Sequence, residues 1–296
     1  MNRKTVPRLA ALAALTLGLA TGVSALPAAA ATLTIGVGAD IATLDPNNYR
    51  DRSTQSVLGN VYEAPFMRID GTNQPAIVTE WKEVDPTTYE ATFKTGIKFH
   101  SGDTLTMEDI KFSFDRVLEE GALDGTTSPR KSLAGPIKSV EVVDEDTIRI
   151  TLTDPWPSFP SSLSTEGGIQ ILNKSFVEEA GPGGLATKED GAGPFKVASW
   201  SPGDRVVLER FDDYYGGPAQ PGPVGPAQVD SAIFRVIPDT SARVAALLAG
   251  EIDIATEIPP FLQQQIQQSG NAEIVRVNGT RTFFVTLNNT KAPFDD

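Results

Sequence analysis

Phe93-Lys94-Thr95-Gly96-Ile97-Lys98-Phe99-His100-Ser101-Gly102-Asp103, followed by Leu105-Thr106-Met107-Glu108-Asp109-Ile110-Lys111-Phe112-Ser113, joins a strand to a helix through two turns. Upstream, Tyr89, Ala91 and Phe93 fall on one face and Thr88, Glu90 and Thr92 on the other, the period of two that a half-buried strand requires. Gly96 and Ser101-Gly102-Asp103 supply turn residues. Thr106 then opens a helix. Its hydroxyl is placed to accept from the backbone N–H of Asp109 in a variant capping box, and Ile110, Phe114, Val117 and Leu118 follow at i, i+4, i+7 and i+8. Gly121 is the expected stop. The stretch predicts a mixed α/β fold.

The same alternation continues on both sides. Leu33, Ile35 and Val37 against Thr34 and Gly36 predict a strand from Thr32, and Ile137 to Leu152 reads as a hairpin turning at Asp144-Glu145-Asp146. That acidic triplet is read as a solvated turn in preference to a calcium site. Ser175 and Glu178 predict a second capping box on a short helix closed by Gly181. Phe195 to Trp200 and Val206 to Leu208 predict paired strands around Ser201-Pro202-Gly203-Asp204. Gly216 to Pro226 holds four Pro and four Gly, so it is an exposed connection. Ile233–Ile237 and Ile252–Ala255 read as strands, Ser241–Ala249 and Pro259–Gln268 as helices, and Glu273–Val277 and Thr282–Leu287 as two last strands. A repeat of 20 to 50 residues is absent from the sequence, which argues against a solenoid or propeller.

Composition removes whole classes of function. The chain has 296 residues, 25 Lys and Arg against 38 Asp and Glu, a net charge of −13, one His and no Cys. A nucleic-acid binder needs a basic footprint, which this acidic chain lacks. Without Cys there is no disulfide framework, thiol nucleophile or thiolate zinc site. Residues 1–31 carry Arg3, Lys4 and Arg8, an apolar run from Leu9 to Val23 and a small-residue stretch ending Ala28-Ala29-Ala30-Ala31. These are the parts of a cleavable signal peptide, and the run is shorter than the roughly 20 residues that span a bilayer. With no Cys at the cleavage site for a lipid, the expected location is the bacterial periplasm.

Signatures of catalytic chemistry are few. Gly36-Val37-Gly38 follows a strand, but Ile41 occupies the third glycine position of a dinucleotide loop. His100 is the sole histidine, so a Ser–His–acid triad would need it specifically; lying between Phe99 and a turn, it reads as a structural residue. A Gly-x-Ser-x-Gly elbow is missing. Paired carboxylates are not discriminated by a sequence this acidic. The chain is therefore read as a non-enzyme with no cofactor and no metal.

Four segments together resemble one family, the family 5 extracellular solute-binding proteins, receptors of peptide and nickel type ABC importers. They are the opening stretch; Gly191-Ala192-Gly193-Pro194-Phe195-Lys196-Val197 with Trp200, Pro202, Gly203, Tyr214, Tyr215 and Gly216; Ile237-Pro238-Asp239 with Arg243, Ala246, Leu247 and Gly250-Glu251-Ile252-Asp253-Ile254; and Leu287-Asn288-Asn289-Thr290 with Pro293, Phe294 and Asp295. The resemblance implies a type II periplasmic-binding-protein-like, two-lobe fold of which this chain holds most of lobe one. On that expectation 1–31 is the signal peptide, 32–288 an incomplete solute-binding lobe one, and 289–296 the start of a crossover to a missing second lobe, so the chain is a fragment or a truncated product. In the family two lobes close around the solute. The implied contacts are Ala39, Asp40, Ile41, Ala42, Thr43 and Leu44 after the first strand, and Phe159, Thr165, Glu166 and Gly167 in a second loop. Backbone groups of the first loop would pair with a peptide as an added strand. Asp40 either meets a cationic group of the ligand or caps a turn. The implied partners are a peptide or peptide-like solute and the permease subunits of the inner membrane, with the receptor a monomer. Two other readings remain: a single-lobe interaction module that docks without ligand, and a secreted hydrolase using two carboxylates. Fold alone does not choose the ligand.

Overall fold

The computed structural model describes residues 31–69, 71–164, 168–217, 225–276 and 285–294. In chain order the elements are β1 (Thr32–Val37), α1 (Arg52–Leu58), β2 (Phe66–Ile69), β3 (Thr72–Pro75), β4 (Val78–Asp85), β5 (Thr88–Phe93), α2 (Met107–Leu118), α3 (Lys131–Ala134), β6 (Ile137–Val142), β7 (Thr147–Leu152), α4 (Phe159–Ser162), α5 (Lys174–Ala180), β8 (Phe195–Ser201), β9 (Arg205–Arg210), β10 (Ser231–Val236), α6 (Thr240–Leu248), β11 (Ile254–Ala255) and α7 (Pro260–Ser269). One sheet is antiparallel in the order β4-β5-β7-β6; another has the order β11-β1-β10-β9-β8, with β1 parallel to both β10 and β11; β2 and β3 form a hairpin. The signal segment expected over 1–31 lies outside the described residues apart from Ala31.

The strand–turn–helix stretch forms as its pattern dictates. Tyr89 lies opposite Ile150 and Ala91 opposite Ile148, all four buried. At Thr106 both halves of the capping box close, with Asp109 N–H donating to Thr106 Oγ1 at 3.3 Å and Thr106 N–H to Asp109 Oδ2 at 2.9 Å. The face carrying Ile110, Phe114 and Val117 is fully buried beside the four-stranded sheet. Each such side chain contributes about 1.5–3 kcal/mol by leaving water. The helix ends at Leu118, before the expected Gly121, because Glu119 already leaves helical geometry; Gly121 takes a left-handed φ of 78° beyond it.

Two apolar cores result. One joins the four-stranded sheet, α2 and α4, and the other joins β1, β8, β9 and β10 to α1. The chain passes between them at Tyr62–Phe66 and again at Ile171–Leu172, so these residues mark a seam. The second turn of the opening stretch is fastened to the segment before β8. His100 N–H donates to Gly191 O at 2.8 Å, and Ser101 N–H and Oγ–H donate to the buried Asp190 carboxylate at 2.7 and 2.9 Å. A Cβ on Gly191 would stand 1.9 Å from Val61 O, which is why that close approach needs glycine.

Several expectations are corrected. The cap of α5 is Asn173, whose side chain accepts from Phe176 N–H at 3.2 Å, and not Ser175, which lies within the helix. Of the two final strands, residues 273–276 and 285–287 are not in strand conformation, while Val277 and 282–284 lie outside the described residues. Their apolar alternation lacks a sheet to bury it: Val275 and Val285 are 79% and 85% exposed. The strand at Ile252 shrinks to Ile254–Ala255. The Gly/Pro-rich connection is pinched where it can be described, Gly225 N–H donating to Gly216 O at 2.9 Å.

Candidate functional site

The loop after β1 leaves the sheet at the carboxyl end of three parallel strands, the place where open α/β sheets receive ligands. Below it α6 approaches closely: a Cβ on Gly36 would lie 2.5 Å from Ile252 Cδ1 and 3.0 Å from Arg243 Cγ. Arg243 is buried and donates to the carbonyls of Thr256 at 3.1 Å and Ile237 at 2.5 Å, tying together the chain ends beyond β10 and β11.

Of the six residues expected in this loop, Ala39 and Ala42 are exposed, Asp40 is half-buried, and Ile41, Thr43 and Leu44 are buried. Asp40 caps rather than waits for a cation. Its carboxylate accepts from Ile41 N–H at 2.8 Å, Trp200 Nε1–H at 3.1 Å and Gly203 N–H at 2.7 Å, which fixes the loop to the β8–β9 turn. Ala42 N–H donates to Thr54 Oγ1 at 2.8 Å, Leu44 N–H to Ala186 O at 3.1 Å, and Asp45 N–H to Thr43 Oγ1 at 3.0 Å. Among the described residues, Thr43 alone between Ile41 and Asp45 keeps both its N–H and C=O unpaired. An added strand therefore has one residue of full pairing here, not a run.

The second expected segment divides. Phe159 is fully buried against Trp81, Tyr89 and Trp156, so it supports a wall from behind. Thr165, Glu166 and Gly167 lie outside the described residues. Their flank is fixed by Gly168, whose N–H donates to Ser162 O at 2.8 Å.

The two segments are brought together by residues that sequence reasoning missed. Tyr49, at the end of the first loop, donates its hydroxyl to Gln170 Oε1 at 3.0 Å. The buried Arg130 guanidinium lies 4.5 Å from the Tyr49 ring centroid, and its Nε–H reaches Gly168 O at 3.4 Å. Burial pushes the Tyr49 phenol up to about 12 and draws the Arg130 pKa down. Asp45 closes the other side, taking a bidentate pair from Arg116 at 2.9 and 2.6 Å while Arg116 also donates to Asn47 Oδ1 at 2.6 Å. Asn47 Nδ2 and Gln170 Nε2 are buried donors without a partner. Asn47 and Gln170 are both fully buried, so these amides shape the loops from within and do not face solvent. A cue existed in Tyr49 and Gln170, polar groups beside apolar runs, but pairing across 121 residues carries no local signature.

His100 is engaged at both ring nitrogens. Nε2–H donates to Gly193 O at 3.0 Å, and Nδ1 faces Glu189 Oε2 at 2.9 Å, while Glu189 also accepts from Gly191 and Val197 N–H. Among the described residues no cluster of three or more His, Asp and Glu could hold a metal ion, and no helix is long and apolar enough to cross a membrane. A cavity of about 580 Å³ lies away from both loops, over Leu33, Ile35, Leu208 and Phe234, with Glu63 and Tyr214 in its wall.

The sequence and the fold are similar to those of known proteins. Residues 72–296 match the model described as bacterial extracellular solute-binding proteins, family 5 Middle. The glutathione-binding protein GsiB of Salmonella typhimurium is 28% identical over 283 residues, covering 95% of this chain and 53% of GsiB. The periplasmic binding protein DppA of Helicobacter pylori, solved with the peptide STSA, is 28% identical with a TM-score of 0.71 over 80% of this chain and 48% of DppA. CtaP of Listeria monocytogenes, an ABC transporter substrate binding protein, is 28% identical with a TM-score of 0.68 over 81% of this chain and 47% of CtaP. The chain spans about half the length of these relatives. The match over residues 72–296 makes the chain a member of the family 5 bacterial extracellular solute-binding proteins.

Proposed function

We propose that the protein captures a peptide or peptide-like solute in the periplasm and delivers it to the permease of an ABC importer, making and breaking no bond. The observation that carries this reading is the meeting of the loop after β1 with the 168–170 segment through Tyr49 and Gln170, at the carboxyl ends of parallel strands. On this reading 1–31 directs export, 32–288 supplies one wall of the cleft, and 289–296 leads toward a second wall. Thr43 offers a main-chain pair and Ala39 and Ala42 the exposed surface around it, while the buried Tyr49–Gln170 bond holds the two segments together behind them. Asp40 holds the loop's shape. Thr165, Glu166 and Gly167, outside the described residues, are further contacts proposed from the family resemblance alone.

Mass spectrometry of purified protein incubated with glutathione and with a tetrapeptide tests this. The expected result is stoichiometric retention with the solute mass unchanged. Conversion of the solute would establish a hydrolase instead. Failure to retain either solute, with a membrane protein co-purifying, would establish the interaction module.

A further inference from the structure

Glu63 sits where the chain crosses between the two cores, with Tyr62 in one and Phe66 in the other, and it is 2% exposed. Its carbonyl accepts from Ile171 N–H at 2.8 Å, the second crossing point. Its carboxyl oxygens accept from Tyr214 O–H at 2.8 Å and Tyr215 O–H at 3.1 Å, and the two rings meet edge to face at 4.8 Å. Tyr215 packs on the core of the four-stranded sheet, while Glu63 and Tyr214, with Asn60 and Gln228, supply polar groups to the wall of the 580 Å³ cavity over β1, β9 and β10. The cluster thus spans the seam. Ala64 contributes a backbone N–H, and the charged group on the far side is Lys94, whose Nζ faces the Tyr215 ring at 5.0 Å rather than the carboxyl.

We propose that Glu63, Tyr214 and Tyr215 form a proton-dependent junction across the seam, more stable with Glu63 as a neutral acid than as a carboxylate, because charging a group this buried costs more than the two phenol hydrogen bonds return.

Burial is the main reason Glu63 holds its proton, raising it from an ordinary 4.5 to about 7, against the pull of the two phenol hydrogen bonds and Ala64 N–H. Burial, and then the Glu63 charge, pushes both phenols well up, so they remain donors throughout this range. Because the folded-state value lies above the unfolded one, the contribution to stability is fully present below about 4.5 and is lost as pH rises through about 7.

Urea unfolding of the chain and of Glu63→Gln from pH 5 to 8.5, with hydrogen exchange at the Ile171 amide, tests the junction. Relative to Glu63→Gln, the wild-type folding constant should fall progressively as pH rises from about 4.5 and level off above about 7, losing up to about 300-fold over that whole window. Ile171 exchange should accelerate over the same window and level off at the same pH in wild type alone, after correction for intrinsic pH dependence. Every other titratable group is common to both proteins and cancels in the difference. Tyr215→Phe removes a donor that favours the carboxylate and should move the levelling-off point to higher pH. Parallel pH profiles for wild type and Glu63→Gln would overturn the proposal. Should Glu63→Gln fail to fold, an unmoved levelling-off point in Tyr215→Phe would overturn it equally.

Discussion

The four-stranded-sheet unit and the seam beside it are stabilised by different physics. In the former, Tyr89, Ala91 and Phe93 meet Ile148, Ile150, Phe114 and Val117, and hydrophobic burial does most of the stabilising. Dispersion and transfer terms are indifferent to pH. Along the seam and the loops above it, buried Asp45, Tyr49, Arg130, Gln170 and Glu63, with the half-buried Arg116, are joined by directional bonds, several at or near charged groups. Truncating a buried apolar side chain leaves a cavity, whereas removing one member of a buried polar pair leaves an orphan whose cost depends on its protonation. The first region is an apolar floor indifferent to pH; the second carries the polar and titratable groups on which the proposed solute capture and pH dependence rest.

That contrast can be broken at graded strength. Phe114→Ala should cost about 3–5 kcal/mol, equally at pH 5 and pH 8, by truncating a fully buried side chain; urea midpoints at both pH values measure it. A pH-dependent loss would show that the sheet core is not the pH-indifferent region. Arg116→Ala should cost about 3 kcal/mol by stranding Asp45, whose buried carboxylate loses its bidentate partner, and a melt of the additional Asp45→Asn variant should recover part of the loss. Thr106→Ala should cost about 1 kcal/mol through the lost cap, read from the same unfolding curves, and serves as the local reference between the two regions. Lys174→Ala, which breaks an exposed i, i+4 pair with Glu178, should leave the unfolding midpoint unmoved.

Legibility in the sequence followed the same divide. The alternation of β5 and β7, the Thr106 box and the Asp144-Glu145-Asp146 turn are local, and each formed where its residues predict. β4 escaped reading because Glu80, Lys82, Glu83 and Asp85 make it polar on most of its length; pairing with β5 and the stacking of Trp81 on Tyr89 at 5.2 Å hold it as a strand. The pattern at Glu273–Val277 misled in the opposite sense, since alternation specifies a strand only where a sheet offers an edge. In the candidate site, the family resemblance points to the loop after β1 but gives no sign of the residues that shape it. Tyr49 finds Gln170 across 121 residues, and Glu63 finds Tyr214 across 151. A carboxylate inside Val61-Tyr62-Glu63-Ala64-Pro65-Phe66 was a visible sign of a buried acid, with no indication of its partner.

The proposed capture of solute between the loop after β1 and the 168–170 segment is open to hydrogen–deuterium exchange with and without a saturating tetrapeptide. New protection is expected to concentrate at residues 38–50 and 163–172, with the β1 and β10 strands over the Glu63 cavity unchanged. Protection centred on Leu33, Leu208, Tyr214 and Phe234, with the two loops unaffected, would place the solute in that cavity instead and overturn the reading.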